Sequence, residues 1–132
     1  MFAVHLTCLA RAYAELGQFG DAWRSIDEAM AADERWWRAE VSRIAGEITL
    51  LEPKGDIAKA EGYFEDGLAI ARQQRAKSWE LRAAMSMARL WRDQGKRDEA
   101  RELLAPVYGW FTEGFDTLDL KEAKALLDEL SS

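Results

Sequence analysis

The sharpest chemical groups in this chain are one histidine and one cysteine, His5 and Cys8. Three apart on a helix, they could lie side by side, as a thiol nucleophile and its base must. Such a pair also needs a group that orients the base, and no carboxylate stands near His5 in sequence. The reading is therefore a surface histidine and a small core thiol. One histidine and one cysteine cannot furnish a zinc site or an internal disulfide. Gly95-Lys96-Arg97 lacks the earlier glycine and the preceding strand of a phosphate-binding loop. Acidic pairs such as Asp27-Glu28 and Asp33-Glu34 read as solvated stripes. No catalytic residue, no cofactor and no metal are expected, and the chain is not expected to be an enzyme.

Arginine offers the better lead. Arg82, Met85, Arg89, Arg92 and Lys96 recur at i, i+3, i+7, i+10 and i+14, on one helix face away from Ala84, Met87, Ala88 and Trp91. A guanidinium grips a carboxylate through paired hydrogen bonds, so an acidic peptide or chain terminus is the natural guest. The competing reading is that these arginines pair with surface acids of the chain itself, which usually contributes little. Net charge is −6 over 132 residues, yet residues 72–97 carry eight basic and two acidic side chains. Nucleic acid is disfavoured by the acidic whole and by the lack of exposed aromatics interleaved with the stripe.

Six tryptophans invite a ligand reading, but large aromatics mostly fill helical cores. Trp91, Trp23, Trp37 and Trp110 fall near faces that should pack. Trp36 and Trp37 are adjacent and point about 100° apart, so one of them, or Trp79, is expected to remain exposed. The stretch 108–115, rich in aromatics and glycine, is expected to fold back and seat a final helix.

The elements that position these groups are helices. The chain is 48% hydrophobic and 32% charged, an ordinary globular mix, with two prolines and few β-branched residues. Three turns share a glycine five residues before an alanine: Gly17 with Ala22, Gly55 with Ala60, and Gly95 with Ala100. Each alanine opens an apolar helical face: Ala22/Ile26/Ala29, Ala60/Phe64/Gly67 and Ala100/Leu104/Val107. The glycines suit left-handed residues closing the first helix of each pair, and the alanines let helices approach closely. Six antiparallel helices are expected near 2–16, 19–32, 35–51, 56–74, 78–94 and 97–109, with Asp56 capping the fourth. A seventh follows near 118–130, with Thr117 as its N-cap. One domain over 1–132 is expected, with repeats at about 2–34, 35–76 and 77–111.

This pattern resembles the tetratricopeptide repeat, most closely through Leu9-Ala10, Tyr13, Gly17, Ala22 and Ala29, and through Met87-Ala88, Trp91, Gly95 and Ala100. It departs from that family in lacking the closing proline and in stretching the second unit. The resemblance implies an all-α superhelical stack of three antiparallel helix pairs plus a C-terminal capping helix at 118–130. Glu40-x-x-Arg43-x-x-Gly46-Glu47 and the stretch 103–117 look like the C-terminal repeats of large bacterial signalling ATPases and cyclase-type regulators.

In such stacks the first helix of each pair lines a groove. The basic stripe then maps to that groove, with Thr7, Arg11 and Glu15, then Ala39, Ser42 and Gly46, at the equivalent places. A scaffold that binds a protein or acidic peptide is implied, with Arg11, Arg82, Met85, Arg89 and Arg92 as contact residues. The chain contains no asparagine, so the chaperone-binding clamp of that family is not expected. The alternative is a structural or oligomerising tail, self-associating through Phe2, Val4 and Leu6 on a first helix with no visible N-cap. No apolar run approaches the ~20 residues of a membrane span, and the opening residues lack a basic leader, so a cytoplasmic setting is expected.

Overall fold

The computed structural model describes residues 2–31, 37–115 and 117–131, with side chains from Leu6 onward. Seven helices occupy the described residues: α1 (Phe2–Glu15), α2 (Phe19–Ala31), α3 (Arg38–Leu51), α4 (Ile57–Gln73), α5 (Lys77–Asp93), α6 (Arg97–Trp110) and α7 (Leu118–Leu130). The chain is all-α, as its composition and period predicted, and no described residue is in a strand.

Helix pairing follows from small residues. Ala22, Ala60 and Ala100, the three repeat alanines, are fully buried, as are Ala10, Ala45 and Ala88 on the first helices of their pairs. With methyl groups at the crossings, α1 seats on α2, α3 on α4 and α5 on α6. Each odd-numbered helix also contacts the next odd-numbered helix, so α1, α3, α5 and α7 stand in file. Two apolar clusters result. One joins α1, α2 and α3 around Ile26, Val41 and Ile48; the other joins α4 to α7 around Phe64, Leu81, Met87 and Leu104.

The turns divide into two kinds. Gly17 and Gly95 take φ of 79° and 80° two residues beyond α1 and α5, where a Cβ would be penalised. Gly55 instead stands four residues beyond α3, which ends on the extended residue Glu52 before Pro53. Asp56 caps α4 as expected, accepting from the Lys59 N–H at 3.1 Å. Thr117 holds the N-cap place of α7 with extended backbone but makes no side-chain cap bond. None of the described helices is long and apolar enough to cross a membrane.

Candidate functional site

The file of α1, α3, α5 and α7 presents the charged face on which the basic stripe lies. Arg11 of α1 bonds Glu15 at 3.1 Å and also pairs with Glu47 of α3. Glu47 receives Arg43 at 2.9 Å and the Ser86 hydroxyl of α5 at 3.0 Å. Arg43 donates through Nε to Glu40 at 2.7 Å. Arg82 of α5 then reaches back to Glu40 at 3.5 Å and forward to Asp119 of α7 at 2.9 Å. Positive and negative groups thus alternate across four helices.

Arg89 and Arg92 extend this ladder along α7. They meet Glu122 at 3.4 Å and Glu129 at 2.7 Å, and Arg92 also bonds Asp93 at 3.1 Å. Within the chain, carboxylates of the last helix thus meet three arginines of the stripe. Leu120, Ala123, Leu126 and Leu130 of α7 are buried in the core beneath these ion pairs, so α7 is an integral layer. Burial draws the Arg82 guanidinium pKa down, but Asp119 and Glu40 outweigh it and leave it above the ordinary value. Arg92 is likewise raised by Glu129 and Asp93 against a desolvation penalty.

Several sequence expectations need correction here. Met85 is 2% exposed and belongs to the core, because α5 is flanked by α3, α4, α6 and α7 and retains little free circumference. It cannot serve as a surface contact. Leu6 is 7% exposed and packs in the α1–α3 cluster, so it is no self-association residue; the side chains of Phe2 and Val4 lie outside the described residues. Cys8 is exposed rather than a core thiol, and the His5 side chain is outside the described residues. Trp110, expected to pack, is 57% exposed. Trp36 falls outside the described residues, while Trp37 and Trp79 are half-buried and meet edge to face at 4.8 Å. Tyr108 and Phe111 do pack against the α4–α7 core beside α7, as expected of their stretch.

The groove positions assigned to α3 are also corrected. Ala39, Ser42 and Gly46 are buried between helices, and the half-buried Arg43 and Glu47 stand on the face instead, with Glu40 buried beneath them. Counting from Gly55 misplaces the register because the second turn is two residues longer than the others. The missed signal is the spacing Glu40, Arg43, Glu47 itself, which places three charges on one helical stripe.

Between α1, α3 and α5 this face opens a cavity of about 370 Å³. Its walls include Cys8, Arg11, Trp37, Arg43, Ile44 and Arg82, with Glu40 at 4% exposure in its floor. The Trp37 indole donates to the Thr7 hydroxyl at 3.1 Å, and both residues line the cavity. Three guanidinium groups face one lining carboxylate, beside an aromatic and an aliphatic wall. A cavity of this size and mixture can hold one or two side chains of a partner segment. No group of histidine, cysteine and carboxylates among the described residues has the geometry to hold a metal ion.

No family model, no curated protein and no solved structure matches the chain.

Proposed function

We propose that this chain is a non-catalytic protein-interaction module, arranged like a tetratricopeptide array, that receives a partner segment on the α1/α3/α5 face. The observation that carries the reading is the cavity there, where Trp37 and Ile44 supply apolar contact and Arg11, Arg43 and Arg82 supply donors. Arg11 and Arg82 keep more than a third of their side-chain surface in solvent despite their ion pairs. They can therefore share a carboxylate of a guest. Arg89 and Arg92 belong instead to the seam that holds α7.

Cys8 provides the test, because it is exposed on the cavity wall and is the single cysteine in the chain. A benzophenone placed on it through a maleimide should cross-link a partner from the source cell's lysate on illumination. The adduct should disappear with Arg11→Glu, which reverses the charge at the rim. Failure to form any adduct, or adducts indifferent to Arg11→Glu, would refute this reading.

A second reading, self-assembly through α1, is favoured by one specific observation. Counting back from Gly17 and Gly95, Leu9 occupies the place of Met87, and Ala12 that of Leu90. Met87 and Leu90 are buried in α5, which has helices on both sides; Ala12 is exposed and Leu9 is 48% exposed. The uncovered stripe, and not Phe2, Val4 and Leu6 as a set, is then the contact. Concentration-dependent sedimentation lost with Leu9→Glu would support it, and cross-links joining only copies of the chain would favour it over the first.

A further inference from the structure

The connection between α4 and α5 repeats a turn that the chain elsewhere builds with glycine. After α1, Gly17 N–H bonds the Ala14 carbonyl and Gln18 N–H bonds that of Tyr13; after α5, Gly95 bonds Arg92 and Lys96 bonds Trp91. After α4 the same two bonds run from Arg75 to Arg72 and from Ala76 to Ala71. The central residue is left-handed each time, but here it is an arginine, with φ of 55°. That conformation is free for glycine and strained for a residue with a Cβ. A side chain retained at such a cost points to a use for that side chain.

Arg75 lines an open trough of about 770 Å³ together with Arg72, Lys77, Glu80, Trp110 and Phe111. Glu80 is buried and serves two cations at once, Arg72 at 3.2 Å and Lys77 at 3.3 Å. Arg75 makes no ion pair with any described residue, so three positive groups face a single lining carboxylate. On the other wall the exposed indole of Trp110 lies 5.4 Å from Lys77 Nζ and meets Phe111 edge to face at 5.2 Å. An exposed tryptophan beside uncompensated guanidinium charge combines an apolar anchor with a carboxylate clamp.

We propose that this trough docks an acidic segment of a partner protein, with carboxylates on Arg72, Arg75 and Lys77 and an apolar side chain against Trp110. Charge decides the class of guest. The trough is locally positive on a molecule of net charge −6, so a long polyanion such as nucleic acid meets repulsion beyond the trough, and a short acidic segment does not. The trough shares no lining residue with the α1/α3/α5 cavity, so it stands or falls separately from that face.

The test uses the whole chain and a fluorescein-labelled peptide, Glu-Asp-Phe-Asp-Glu. Its amide counterpart, Gln-Asn-Phe-Asn-Gln, and a single-stranded oligonucleotide of equal charge serve as comparisons. Anisotropy should show saturable binding of the acidic peptide alone, and the Trp110 indole N–H resonance should shift during the titration. Arg75→Gly should weaken binding at least tenfold while Tm holds or rises, because glycine suits that backbone. Trp110→Ala should weaken it as well. The proposal is overturned by unchanged affinity in Arg75→Gly, by equal binding of the amide peptide, by tighter binding of the oligonucleotide, or by absence of saturation or of the Trp110 shift.

Discussion

Replacing Gly46 by alanine sets two effects of known size against each other. Gly46 lies inside α3, where helix propensity alone favours alanine by about 1 kcal/mol. A Cβ built there would stand 2.5 Å from Cε1 and 2.7 Å from Cδ1 of Phe64. Carbon atoms in contact prefer about 3.5–4.0 Å, so the ring would have to retreat by about 1 Å. Phe64 is fully buried in the α4–α7 cluster, and an aromatic ring cannot fold away as a flexible chain end could. Overpacking of that kind costs about 1–3 kcal/mol, and the absence of free space argues for the upper end. The expected net is destabilisation of about 2 kcal/mol, or a fall in Tm of roughly 6–10 °C for a domain of this length. Urea and thermal melts followed by circular dichroism would measure it. Gly62 in α4 supplies the control, since a Cβ there meets nothing within 4 Å, and Gly62→Ala should stabilise by about 0.4–1 kcal/mol. Combining Gly46→Ala with Phe64→Leu should cost less than the two changes summed. A rise in Tm for Gly46→Ala would refute the reasoning, because propensity would then have outweighed contact.

Other expectations concern the charged face. Removing Glu40, a buried carboxylate between Arg43 and Arg82, as Glu40→Ala should cost about 3 kcal/mol in urea unfolding, because two guanidinium groups lose their shared partner; a change within the scatter of surface variants would contradict the ladder. Reversing Arg82, Arg89 and Arg92 together to glutamate should accelerate amide exchange most in residues 118–130 and least in α2, which none of the three arginines pairs with, and uniform exchange would show that the seam does not hold α7. Each of these half-exposed pairs is worth only about 0.2–1 kcal/mol, so the triple change should loosen the last helix without unfolding the chain. Cys8 should react with a thiol reagent in the native state at nearly the rate of the unfolded chain, whereas a core thiol would be protected.

Much of the architecture could be read from residue types. The alanines at repeat positions 22, 60 and 100 are buried as their spacing required, and the glycines at 17 and 95 adopt the left-handed turns expected of them. Local spacing carries such features because they depend on one helix and its immediate neighbour. The middle glycine of the three misled, since Gly55 belongs to a longer turn, and the two extra residues shift the register of α3 so that the buried Glu40 and the half-buried Arg43 and Glu47 line the charged seam toward α1 and α5. Pairing across helices was less legible. The stripe of arginines was visible, but the acids that hold them stand 30 or more residues away on α7, and helical period says nothing about which helix comes to lie alongside. Trp110 escaped for a related reason: it ends α6, and the final residue of a helix has fewer neighbours than its period implies.

The alternation of sign across α1, α3, α5 and α7 also bears on how such a chain can change in length. Each first helix presents to its neighbours the charge they lack: Arg11 before Glu47, Glu40 before Arg82, Arg82 before Asp119. Duplication of the third pair in tandem would set arginine against arginine at the new junction, and deletion of the second would bring Arg11 toward Arg89. The order of the pairs is thus written into the face they share, so that growth by copying a single unit is penalised and growth by copying two adjacent units is not.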